Sequence, residues 1–181
     1  MTGVQTCALP ISGGVRFEIV HDVTPYGEEW RRFGEYVQQQ LAKIGIKATL
    51  RYEDVPTWLR RVYTNYDYQL TNNWIQTLAD PVIGVHRLYH SKLIRAGTVF
   101  VNGTRWSTPE TDSLMDRASV ETDPKKRATL YHEFQKRVVQ ESPIVFVHEL
   151  DFVTVYQKRL QGFLVSPLGI YANFDQAWLQ K

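Results

Sequence analysis

A single cysteine, Cys7, stands among 181 residues, which excludes a disulfide framework and a thiolate-built metal site. Long apolar runs are missing as well. No stretch approaches the ~18 consecutive apolar residues of a membrane-crossing helix. Charge of one sign is equally scarce, with 21 Lys and Arg against 19 Asp and Glu for a net +2. The densest basic clusters, Arg60-Arg61 and Lys125-Lys126-Arg127, read as solvated helix faces rather than a nucleic-acid patch. There is no GxSxG turn to raise a nucleophile, no GxxxxGK loop to cradle phosphates and no HExxH metal pair. Internal repeats and low-complexity linkers are absent too.

The opening MTGVQTCALPIS also lacks something: any charge or aromatic ring. A secretory signal needs a basic start and an unbroken apolar core. Met1–Ser12 has no Lys or Arg, and Pro10 interrupts Ala8–Ile11. Nothing basic lies near Cys7 to make a reactive thiolate. The stretch resembles the conceptual translation of a sequencing-adapter read, a scar at the ends of assembled genes. Residues 1–13 are accordingly expected to be artefact, with the protein's own N-terminus missing.

What remains is aromatic-rich, 13% Phe, Trp and Tyr, and patterned as α/β. Arg16–His21 is a β-rich run. Thr24-Pro25 offers a helix cap with proline at the first position, and Trp30, Phe33, Val37, Leu41 and Ile44 then recur at helical spacing up to Gly45. Lys47–Tyr52 predicts a second strand, Val55–Thr64 a short helix behind Asp54, and Asp67–Trp74 a third strand. Strand, helix, strand, helix, strand at these lengths predicts βαβ units with parallel pairing.

Further on, Pro81–His90 predicts a helix and Gly97–Ser107 a loop. Thr108-Pro109 caps a helix to about Val120 with Leu114, Met115 and Ala118 inward, and Asp123-Pro124 caps a longer one with Tyr131, Phe134 and Val138 as its stripe. Ile144–Glu149 and Phe152–Gln157 read as consecutive strands, and the tail from Leu160 as extended.

Few residues point to chemistry. His86 and His90 share a helix face, a spacing that can hold a metal, but no carboxylate follows them and a partly exposed helix face is the plainer reading. His21/Asp22 and His148/Glu149/Asp151 could orient a general base, although strand ends carry polar residues anyway. Asn72–Pro81 (NNWIQTLADP) differs: a strand ends at Trp74 and Asp80-Pro81 starts a helix. Ligands settle at the carboxyl ends of strands in open α/β sheets, so this loop is either a ligand contact or an ordinary connection with a core tryptophan.

These residues bring a family into view. The run EEWRRFGEYVQQQLAKIGIKATLRYEDVPTWLRRVYTNYDYQLTNNW, the Asp80-Pro81 pair, the run STPETDSLMDRASVETDPKKRATLYHEFQKRVVQESPIVFVHE and the closing GFLVSPLG resemble, in order, the C-terminal part of the family 5 extracellular solute-binding proteins of ABC transporters, the dipeptide, oligopeptide and nickel type. The resemblance implies a partial type II periplasmic-binding-protein-like α/β fold, whose two lobes close on a solute and deliver it to a membrane permease. Residues 14–150 would be mainly the second lobe, and 151–181 a segment crossing back to a first lobe that is missing here.

The resemblance also implies a truncated, non-catalytic binding protein without a cofactor, at the periplasmic or extracellular face of the cytoplasmic membrane and monomeric at full length. Its implied ligand contacts are Trp74, Ile75, Gln76, Thr77 and Trp106. Peptide-binding members place an aspartate three residues after the tryptophan, where it pairs with the ligand's α-ammonium. Here that residue is Thr77. A hydroxyl cannot neutralise a cation, and a lost charge-assisted bond costs about 1.5–3 kcal/mol, so a sugar, an opine-like compound or a modified peptide is as well accommodated as a free peptide. The competing expectation is a small free-standing α/β enzyme using His21/Asp22 or His148/Glu149.

Overall fold

Phe17–Asp22 forms the central strand β1, and the chain returns to it twice. A computed structural model describes residues 14–150, 153–166, 168–171 and 174–181. After β1 come helix α1 (Glu28–Lys43), strand β2 (Ile46–Arg51), helix α2 (Val55–Arg60) with a π-type turn over Arg61–Asn65, and strand β3 (Leu70–Thr71). The sheet order is β2-β1-β3, all parallel, with Phe17 opposite Ile46 and His21 opposite Leu70. These are the βαβ units that the alternation predicts.

Then follow two single-turn helices, α3 (Pro81–Gly84) and α4 (His86–Tyr89), helices α5 (Pro109–Val120) and α6 (Pro124–Glu141), and a short antiparallel pair, β4 (Leu160–Gln161) with β5 (Trp178–Leu179). The chain divides into two units. The strand unit holds the described residues up to Trp74 plus Arg95–Val99, and the helical unit holds Ile75–Ile94 and the described residues from Phe100 onward.

In the strand unit Trp58 is the core anchor. Its ring meets the edges of Tyr26 and Tyr63 at 5.8 and 6.0 Å, and its Nε1–H donates to Thr71 Oγ1 at 3.1 Å. Apolar bulk with a satisfied polar tip is what a buried Trp requires. Helix α1 packs close to the end of β1: a Cβ at Gly34 would sit 2.6 Å from Val23 Cγ2. Trp30, Phe33, Val37 and Leu41 are half-buried as their spacing predicts, whereas Ile44 is exposed beyond the helix end. Gly45, with φ 80°, closes α1 in the left-handed conformation that favours glycine.

In the helical unit, Leu114, Met115 and Ala118 of α5 pack with Leu130, Phe134 and Val138 of α6 and with Tyr89. Tyr131 stands at the margin of this core rather than within it. Burial pushes the Tyr89 hydroxyl up to about 12.

Four expectations need correction. Thr24-Pro25 does not cap α1. Thr24 is buried and its hydroxyl donates to the Asn72 carbonyl, so the helix waits until Glu28, behind Gly27 with φ 117°. The third strand shrinks from eight residues to Leu70–Thr71, because beyond it Asn72 meets β1's end through its side chain instead of the ladder. The helix expected over Pro81–His90 breaks at Val85: Arg87 Nε takes the Gly84 carbonyl at 3.2 Å, and the Leu88 N–H turns to Val85 instead at 3.0 Å.

Finally, Ile144–Glu149 and the described part of Phe152–Gln157 are not strands. Among the described residues no strand pairs with them, and unpaired backbone does not hold a ladder geometry. Asp151, Phe152, Cys7 and the expected artefact 1–13 lie outside the described residues.

Candidate functional site

The loop Asn72–Asp80 leaves the strand unit through one asparagine. Asn72 Oδ1 accepts from the Thr24 N–H at 3.3 Å and lies 2.9 Å from His21 Nε2. Because the Thr24 N–H must face an oxygen, the amide orientation is fixed, and His21 therefore carries its proton on Nε2. His21 is buried, and burial is the chief cause holding its pKa below 6.5, against the Asn72 hydrogen bond and the Asp22 charge. A neutral imidazole fits this site. Asn73 Nδ2 then donates to the Tyr63 hydroxyl at 3.0 Å, and Asn73 Oδ1 accepts the Trp74 N–H at 2.8 Å. Trp74 is half-buried at the unit's end.

In the helical unit the same loop is held along its backbone. Arg87 Nη2 donates to the Gln76 carbonyl at 2.9 Å while its Nε holds Gly84. A Cβ at Gly84 would lie 1.6 Å from the Thr77 carbonyl oxygen, so only glycine admits this approach. Leu78 adopts φ 55°, costly for a branched side chain. Asp80 closes the loop: it accepts the Val82 N–H at 2.8 Å as the cap of α3 and Arg127 Nη2 of α6 at 2.8 Å. Arg127 first, and the Val82 N–H second, hold its carboxyl below the usual range. Ile75 and Gln76 are half-buried, and Thr77 is exposed.

The structure thus places Ile75, Gln76 and Thr77 in one anchored stretch and Trp74 just before it. Trp106 sits elsewhere in the helical unit. Its ring meets the edge of Tyr89 at 6.0 Å and its Nε1–H donates to Glu141 Oε2 at 2.9 Å, so much of its surface serves packing.

The other constellations resolve into structural contacts. His86 Nε2 bonds the Tyr131 hydroxyl at 3.0 Å, and His90 Nε2 lies 3.1 Å from Asp116 while its Nδ1 accepts the Lys92 N–H. Each imidazole is thereby engaged apart from the other. Among the described residues no group of three or more His, Cys, Asp or Glu could hold a metal ion.

Asp22 does not orient His21. It receives Arg51 at 2.5 and 2.9 Å, and Arg61 bridges Glu53 and Asp67 beside it. His148 and Glu149 are exposed. Asn72, Arg87 and Gly84 escape sequence reasoning. Only a strand-ending Asn and a Gly in a helical pattern hint at two of them.

No family model matches the chain. The chain is 28% identical over 156 residues to the peptide transport periplasmic protein SapA of Haemophilus influenzae, covering 83% of this chain and 26% of that protein. It is 25% identical over 146 residues to a dipeptide-binding protein of Escherichia coli, covering 80% and 26%. Among solved structures, HbpA2 from Haemophilus parasuis superposes with a TM-score of 0.72 at 27% identity, covering 91% of this chain and 32% of that one. AppA from Bacillus subtilis, an oligopeptide-binding protein solved with a nonapeptide, gives 0.69 at 21% identity, covering 99% and 35%.

The chain therefore spans about a quarter of the length of the curated relatives it matches. Its relatives are periplasmic peptide-binding proteins, and over the stretch it shares with the solved family 5 solute-binding proteins it has their α/β fold.

Proposed function

We propose that the chain forms part of the solute-binding component of an ABC import system, capturing a small polar or peptide-like solute and passing it to a membrane permease. The observation that carries this reading is the match over 83% of the chain to a peptide transport periplasmic protein. In this reading the protein works outside the cytoplasmic membrane, as a monomer when whole. Residues 14–150 belong to its second lobe, and 151–181 cross back to the first. Trp74 offers a stacking face, Gln76 and Thr77 orient polar groups, Ile75 adds apolar contact, and Trp106 shapes the surroundings from the helical core. Commitment of Asp22 to Arg51 and Arg61 speaks against the His21/Asp22 pair as a general base.

Thr77 separates this loop from one that holds a ligand ammonium, and its exposed hydroxyl is neutral. Tryptophan fluorescence titration tests both points. A saturable response to trialanine that Trp74→Leu removes supports the reading, and no saturable response overturns it. Thr77→Asp should tighten Ala-Ala-amide, which carries an ammonium and no carboxylate, about tenfold or more, one charge-assisted bond's worth. An unchanged affinity overturns the assignment of residue 77.

A further inference from the structure

The anchoring contacts of the loop also fix the direction of two of its backbone N–H groups. Among the described residues no peptide bond is cis, and in a trans peptide each carbonyl points opposite to the next residue's N–H. The Gln76 carbonyl points at Arg87, so the Thr77 N–H points away from α4. The Thr77 carbonyl oxygen lies against Gly84, so the Leu78 N–H points away from α3. Thr77 and Leu78 are both exposed. Two consecutive backbone donors are therefore turned away from the helices on exposed residues.

Arg87 adds to this. A cation on the Gln76 carbonyl polarises that peptide and strengthens the Thr77 N–H as a donor. The nearby carboxylate, Asp80, is occupied by Arg127 and the Val82 N–H.

We propose that the Thr77–Leu78 turn receives a carboxylate of the solute, and that Arg87 and Gly84 are positioning residues that keep its donors outward. This rests on the reading that the loop contacts solute. Polarity at this spot is then reversed from that of a loop carrying an aspartate for an ammonium: the chain supplies donors and the solute supplies the anion.

The test titrates the 15N-labelled chain with two probes. N-acetyl-Ala-Ala carries a carboxylate and no ammonium, and Ala-Ala-amide carries an ammonium and no carboxylate. The expected result is a saturable downfield shift of the Thr77 and Leu78 amide protons with the first probe and none with the second. Arg87→Ala and Gly84→Ala should each weaken the carboxylate probe about tenfold. Arg87→Lys, which keeps the charge and one donor, should fall between.

Unchanged amide shifts outside residues 74–78 in each variant separate a lost positioning role from general loss of structure. If Ala-Ala-amide alone moves these amides, the carboxylate assignment is overturned while solute binding stands. If neither probe moves residues 74–78, both are overturned. Wild-type affinity in Arg87→Ala and Arg87→Lys overturns the positioning role.

Discussion

His21 and His86 are both buried, and in both the largest influence is desolvation, which holds the pKa below the ordinary 6.5. His86 is lowered further by its neighbour His90, and raised by Asp80 and Asp116. The folded chain thus refuses protons that the unfolded chain accepts. The stability tied to these groups is fully present above pH 6.5 and is lost as pH falls from 6.5 through the lowered native values. Asp80 and Asp116, whose carboxyls are held low chiefly by Arg127 and His90 respectively, add their own loss only in the range below about 4. The thermal midpoint should therefore fall between pH 7 and about 5, before the carboxylates titrate. His86→Leu should flatten that slope, even if losing the Tyr131 bond lowers the midpoint at neutral pH. An unchanged slope in the variant would remove His86 as a cause.

Among elements, α5 owes its start to a reciprocal cap. The Thr108 hydroxyl accepts the Thr111 N–H at 3.1 Å while the Thr111 hydroxyl accepts the Thr108 N–H at 3.0 Å. Thr108→Ala should cost about 1 kcal/mol in urea denaturation and Thr108→Ser much less. Equal losses in the two would mean that the methyl group matters rather than the bond. This cap was legible in the sequence, as were Asp54 and Asp123, because each signal lies within one turn of the residues it serves. Thr24-Pro25 carries the same letters and misleads, since its hydroxyl is claimed by a residue 48 positions away. The parallel pairing of β1, β2 and β3 was legible from the alternation of strands and helices. The break at Val85 was not, because a side chain's competition for one carbonyl leaves no periodic trace. Likewise the Asn72–Asp80 loop announced itself by a strand end and an Asp-Pro, but its grip by Arg87 and Gly84 depends on a fold that brings residues eleven and seven apart into contact.

For the molecule as a whole, the described residues 144–150 and 153–157 are where sequence and structure disagree most, and the disagreement has a physical consequence. Val145 is 77% exposed, Phe146 69% and Val155 91%. These β-branched and aromatic residues have strand propensity, and among the described residues no strand satisfies it. Such a surface templates pairing with another chain, and a net charge of only +2 on 181 residues offers little repulsion against it. The isolated chain should therefore self-associate with rising concentration in light scattering. The double variant Val145→Lys, Val155→Lys should suppress this, by charging the segment and raising the net charge. Because both side chains already stand in water, the substitution should change unfolding free energy by no more than about 0.5 kcal/mol. A large loss of stability would place these valines in a packed interface, and undiminished association would move the sticky surface elsewhere. The expected pair of results, solubility gained at constant stability, would place Val145 and Val155 on an exposed surface that drives association without contributing to the fold.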